Sequence, residues 1–144
     1  MYTPHTVTVY HTTEDTLTLE TTVNITILNG VLLDATKAAN VRESGLTSAD
    51  SVNLYIPFSV KAVDGLKRID KAFLSPKEYR DINNKSDFWT LDTQNCFFVK
   101  GEVVEQGRDF QYLNHNYDDV YRVTSVDTKD FGTPDMRHWE VGGA

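Results

Sequence analysis

The stretch His5-Thr6-Val7-Thr8-Val9-Tyr10-His11 puts its valines on one side of an extended chain and its threonines on the other. β-Branched side chains are stiff at χ1 and fit a pleated surface. Alternation with a period of two marks a strand with one buried and one wet face, as in an antiparallel sheet. The pattern spreads outward, since positions 3 to 26 hold ten threonines. Thr16-Leu17-Thr18-Leu19-Glu20 repeats the alternation, and Val23, Ile25 and Ile27 carry it to a turn predicted at Asn29-Gly30. Val31 to Asp34 reads as a further short strand. Residues 35–50 then become small and polar without a clean period, an excursion expected to hold a helical turn around Lys37 to Val41. Ser51 to Ser59 is again a strand, with Val52, Leu54, Ile56 and Phe58 on one face. Pro57 has no N–H to give to a ladder, which places this strand at an edge or at a bulge.

Residues 60–95 differ in character and read as an arm inserted into the β domain, too poor in apolar residues to build a core of its own. Val63-Asp64-Gly65-Leu66 carries the Asp-Gly signal of a two-residue hairpin. Ser75-Pro76-Lys77-Glu78 is a capping box with proline at the first helical position, opening a helix through about Asn83. Seven of the fourteen basic residues lie between Lys61 and Lys85. Asp64, Asp70, Glu78, Asp81 and Asp87 interleave with them, as on a solvated face. Trp89, Phe73 and Tyr79 are expected to anchor the arm to the domain. Strands resume at Phe97 to Val104, Asp119 to Val126 and Arg137 to Val141. About seven short strands with one helical insertion predict a mainly β chain: a small antiparallel barrel or sandwich in a single domain spanning 1–144.

Chemistry-bearing motifs are sparse. With 40% hydrophobic and 24% charged residues the chain has the composition of a folded protein. No apolar run approaches the roughly 20 residues of a membrane helix, and Met1 to Tyr10 lacks the basic-then-apolar pattern of a secretory signal. A net charge of −7 argues against a protein that neutralises many phosphates. One cysteine, Cys96, cannot form an internal disulfide or a multi-thiolate metal site, and beside Phe97 it reads as a small buried hydrophobe. Asn114-His115-Asn116-Tyr117-Asp118-Asp119 is the densest polar run, read as a turn entering the strand at Val120. His5 and His11 share a strand face but sit roughly 20 Å apart, too far to hold one ion together. His138 beside Trp139 is expected to be a sheet-face histidine. No phosphate loop or nucleophile elbow is present. No catalytic residue, metal or cofactor is therefore expected.

The order of segments resembles the head–tail joining proteins of tailed bacteriophages, the head-completion or stopper group. The resemblance rests on the Thr-Val-Thr-Val-Tyr strand, Val52-Asn53-Leu54-Tyr55-Ile56-Pro57-Phe58, the pair Phe98-Val99-Lys100-Gly101 and Tyr121-Arg122-Val123-Thr124-Ser125-Val126, and the ending from Asp130 to Val141. It implies a non-enzymatic protein of the virion neck, assembled in the host cytoplasm. Such a protein forms a ring with copies of itself, between portal or adaptor proteins on the head side and tail proteins on the other. The ring closes the channel after packaging and meets DNA only transiently. Tyr55 and Pro57, on the edge-like strand, are candidates for contact between subunits, and Lys67, Arg68 and Lys71 for contact with an acidic adaptor or, as a second choice, the DNA. Competing readings are a tail terminator or tail-completion protein, a nucleic-acid-binding barrel, and a small hydrolase using His115 with Asp118 or Asp119.

Overall fold

The computed structural model describes residues 2–14, 17–36, 39–42, 45–48 and 51–144, with residues 36, 39–42 and 45–48 described by backbone only. In chain order the strands begin with β1 (His5–Glu14), β2 (Thr21–Thr36), β3 (Ala39–Arg42), β4 (Gly45–Ser48), β5 (Ser51–Pro57) and β6 (Lys61–Asp64). The arm then contributes β7 (Ala72–Phe73), the helix α1 (Pro76–Arg80) and β8 (Phe88–Trp89). The chain ends with β9 (Cys96–Lys100), α2 (Phe110–Asn116), β10 (Val120–Lys129) and β11 (His138–Gly143).

Six strands close into an antiparallel barrel in the order β1-β9-β10-β11-β5-β2, with β2 returning to β1. The expected mainly β barrel is the observed fold. β6 is an added strand on β2. Valines from β1 (Val7, Val9) meet Phe98 of β9, Tyr121 and Val123 of β10, Val141 of β11, Leu54 and Ile56 of β5 and Leu28 of β2 in one buried interior cluster. The interior is filled with side chains, as in other small barrels, and leaves no pore.

The Asn29-Gly30 signal is not a hairpin turn. β2 runs straight through it as one strand of 16 residues, and Gly30 takes φ +91°. That left-handed conformation suits glycine and bends the strand. Before the bend β2 pairs with β1, and after it with β5. Beyond the bend the Leu33 amide donates to His5 Nδ1 at 3.0 Å. The turn between β1 and β2 lies earlier instead. Leu17 and Leu19, expected in a strand, sit there 92% and 72% exposed, and Leu19 adopts φ +59°.

Pro57 is a second correction. β5 is not an edge: it pairs with β11 on one side and β2 on the other. Proline is tolerated because it ends the strand, where the chain bulges out through Phe58 to Val60 before β6 resumes along the same edge of β2.

The threonine face of β1 is not wet either. Thr8 and Tyr10 are fully buried beneath the segment after β9. Thr8 Oγ1 donates to the Gly101 carbonyl at 2.8 Å and accepts from the Val103 amide at 2.9 Å. Tyr10 Oη donates to the Val103 carbonyl at 2.6 Å. Tyr10, Phe97, Val99 and Leu113 of α2 make a second core outside the barrel wall. Within the run read as a turn, α2 reaches Asn116, capped by Asp109, whose carboxylate accepts from the Tyr112 amide.

The arm crosses one mouth of the barrel. Phe73 and Trp89, in the short parallel pair β7–β8, pack on Trp139 with ring centroids 4.2 and 5.5 Å away, and Phe58 joins them at 4.4 Å. The aromatic anchoring read from the sequence is thus realised. α1 opens as expected, Ser75 Oγ accepting from the Glu78 amide and donating to Glu78 Oε1, but ends at Arg80.

At the opposite mouth Thr36 pairs with Ser51, and between them in the sequence lies the ribbon β3–β4, which pairs with no other strand among the described residues. The helical turn expected around Lys37 to Val41 is not found in its described part, since Ala39 to Val41 belong to β3. Lys37 and Ala38 lie outside the described residues.

Candidate functional site

Two linked polar centres lie beneath the arm, on the faces of β1, β2 and β6 that turn Val9, Leu28 and Ala62 into the interior. The first is built around Lys71. Its main-chain N–H donates to the Ala62 carbonyl of β6, which turns its side chain back toward β2. The Nζ atom, with the side chain 0% exposed, lies 2.9 Å from Asp64 Oδ1. It also donates to Asn24 Oδ1 at 2.6 Å, Thr26 Oγ1 at 3.0 Å and the Ile25 carbonyl at 3.2 Å. Asp64, opposite Thr26 in the β2–β6 ladder, accepts through Oδ2 from the amides of Leu66 and Lys67. The Asp-Gly sequence therefore does not make a two-residue hairpin. Asp64 caps a wider loop, closed by the Asp64 amide donating to the Ile69 carbonyl, with Arg68 at φ +58°.

A buried lysine is costly unless its ammonium is paired and hydrogen-bonded. Burial pushes the Lys71 amine below its ordinary range, against the pull of Asp64. Burial alone would raise the Asp64 carboxyl. The Lys67 amide, the Lys71 ammonium and the Leu66 amide outweigh it and hold the group low.

Asn24 joins this centre to the arm. Its Nδ2 donates to Tyr79 Oη at 2.8 Å, the Phe88 carbonyl at 2.9 Å and the Lys85 carbonyl at 3.2 Å. Tyr79, whose hydroxyl burial pushes up to about 12, in turn packs edge-on against His11, ring centroids 5.0 Å apart.

His11 belongs to the second centre. Its Nε2 lies 2.7 Å from Asp92 Oδ2, and Nδ1 is 3.4 Å from Thr13 Oγ1. Asp92 Oδ1 accepts from the amides of Gln94 and Asn95, and the Asp92 amide donates to Cys96 Sγ at 3.5 Å. Burial would raise the Asp92 carboxyl, but the His11 ring and the Asn95 and Gln94 amides hold it at about 2. His11, Asp92 and Cys96 place one ligand atom each within 4.8 Å of one another, the one such grouping among the described residues. A cleft of about 510 Å³ opens beside His11 and Asp92, walled by α1 and the turn before β9. This trio is not built as a nucleophilic triad. Both ring nitrogens of His11 face other partners, and burial raises the Cys96 thiol to about 12, away from the thiolate a nucleophile needs.

The residues named from sequence do not gather into one surface. Tyr55 is half-buried on β5, its ring 5.9 Å from that of His138 on β11. Pro57 closes the same strand, and because β5 is paired on both sides neither residue offers a free ladder edge. Lys67 and Arg68 are exposed in the loop after β6. Arg68 pairs with Glu102, and Lys67 Nζ donates to Ser86 Oγ at 3.4 Å. Lys71 is withdrawn from any partner, since its whole side chain is spent inside the fold. His115 is exposed on α2, while Asp119 Oδ1 accepts from Tyr121 Oη at 2.9 Å.

Tyr79 was read as an anchor of the arm, but its bond to Asn24, the Asn24–Lys71 contact and the His11–Asp92 pair went unread, because the partners are 47 to 81 residues apart and no local pattern announces them. The one available signal was the asparagine set between Val23 and Ile25 in β2.

The family comparison covers residues 2–144, matching the model of a family of unknown function, DUF6751, and the chain belongs to that family. Searches of curated proteins and of solved structures found no match.

Proposed function

We propose that this protein is a structural component of the neck of a tailed bacteriophage, a ring-forming stopper between the portal side of the head and the tail. The observation that carries the reading is the β3–β4 ribbon. It lies between β2 and β5 in the sequence and, among the described residues, pairs with no other strand. A two-stranded ribbon standing alone is marginal in water and gains stability by packing on a neighbour. A second copy in a ring supplies that neighbour, and the ladder edges left unpaired among the described residues suit strand addition.

The two ends of the barrel differ, as a part with a head side and a tail side requires. One mouth is closed by the arm and its aromatics, and the other bears the ribbon. The barrel interior is packed solid, so a DNA channel would run through the centre of the ring and not through a protomer. The acidic balance favours sliding over tight phosphate binding. The mechanism is interfacial, with copies and neck partners contacting the barrel rims.

Deleting the gene from a phage that carries it tests the reading. DNA-filled heads that leak and carry no tail are the expected particles. Free tails of uncontrolled length would assign the protein to tail termination instead, and normal infectious particles would remove it from the neck.

A further inference from the structure

We propose that Lys71 and Asn24 become joined by an intramolecular isopeptide bond, with Asp64 as the proton acceptor of the reaction. The inference stands on the buried centre itself and holds or falls independently of the neck reading.

The three residues sit on adjacent segments. Asn24 lies on β2, Asp64 on β6 in the ladder beside it, and Lys71 on the segment returning past Ala62. Lys71 Nζ is 2.6 Å from Asn24 Oδ1. A carbonyl bond of about 1.2 Å then leaves Nζ within about 3.8 Å of Cγ, close to the roughly 3–3.5 Å of a near-attack pair. The amide orientation is fixed by its neighbours. Nδ2 faces Tyr79 Oη and the Phe88 and Lys85 carbonyls, so Oδ1 must be the atom turned to the lysine. A planar amide has two N–H bonds for those three acceptors. A departing ammonia or ammonium has three or four, so the pocket around Nδ2 fits the leaving group better than the side chain now in it. Asp64 is held rigid by two amides on Oδ2 while Oδ1 touches Nζ. Burial, which disfavours the charged amine, supports attack by the neutral form.

The step balances without any co-reactant. Asp64 accepts a proton from the Lys71 ammonium, and the freed electron pair on Nζ attacks Asn24 Cγ while the C=O electrons move to Oδ1. As the carbonyl re-forms, the Cγ–Nδ2 bond breaks. Nζ keeps one hydrogen in the new secondary amide, and the two it has lost leave with Nδ2 as ammonium. No group is oxidised or reduced. The link would tie the base of the arm to the barrel wall across 47 positions of the chain.

Intact mass spectrometry of the purified full-length chain, followed by proteolysis, tests this. The expected result is a mass one ammonia below the sequence mass, and a branched peptide joining the segments around Asn24 and Lys71. Asp64→Asn and Lys71→Arg should restore the full mass. Should either variant fail to fold, the wild-type branched peptide decides alone. A folded wild-type chain at its full sequence mass overturns the proposal. So does an ammonia loss without the branched peptide, the outcome of succinimide closure at Asn29-Gly30.

Discussion

Single side chains decide where this fold is vulnerable, and the acid side of its stability is written in Asp92. Its carboxyl lies at about 2 against an ordinary 3.8. Its folded value is the lower one, so the stabilisation is fully present above the unfolded value and is lost as pH falls through the folded one. The difference is worth about 2 kcal/mol. Urea unfolding between about pH 5 and pH 2 should show wild type losing that stability, while Asp92→Asn starts lower and loses correspondingly less. At Gly65 the constraint is space. A Cβ there would lie 2.7 Å from Ile25 Cγ2, against a wall strand that cannot retreat. Gly65→Ala should cost about 1–3 kcal/mol in the same assay. At this scale the sequence was readable only where the signal was local. Ser75 and Glu78 announced their cap three residues apart, whereas Lys71 looked like one more surface cation because Asp64 and Asn24 reach it only through the fold.

Elements were easier to read than their connections. The alternation of β1, β5 and β11 is set by side-chain period and survives folding, so those strands stand where the pattern puts them. What misled was chemistry with two uses. Asn29-Gly30 serves hairpins and bulges alike, and here glycine's positive φ bends one long strand instead of ending it. Proline in β5 signalled an edge or a bulge; the strand is paired on both sides, and the chain bulges out just after the proline. α2 was missed because its buried face is short, Leu113 being its fully enclosed residue. The arm's hold on the barrel is an element-scale matter, concentrated at Trp139, which contacts Phe58, Phe73 and Trp89 together. Trp139→Ala should remove about 3–5 kcal/mol and lower Tm by roughly 10–20 °C in calorimetry. The ribbon should behave oppositely. Thr36 and Ser51 already pair, so an Asn-Gly link replacing residues 37–50 closes the hairpin in its own register. That variant should keep cooperative unfolding near the wild-type Tm yet lose self-assembly in sedimentation.

At the scale of the whole molecule, closure of the barrel uses both ladder edges of its wall strands over most of their length and leaves β6 as the terminal strand of the sheet, so the proposed association would draw mainly on the barrel's ends. The chain offers unlike ends: an aromatic-sealed mouth under the arm, and a mouth where Thr36 pairs with Ser51, the two residues that flank the β3–β4 ribbon in the sequence. The barrel class could be read from strand spacing alone. The proposed ring could not, because its contacts would reside in surfaces that local patterns describe poorly. The most direct measurement is a cryo-electron reconstruction of the neck in virions that carry this chain. A ring of copies below the portal, each ribbon laid against its neighbour, is the expected density. Virions in which the chain is absent, or occupies a site away from the head–tail junction, would contradict it.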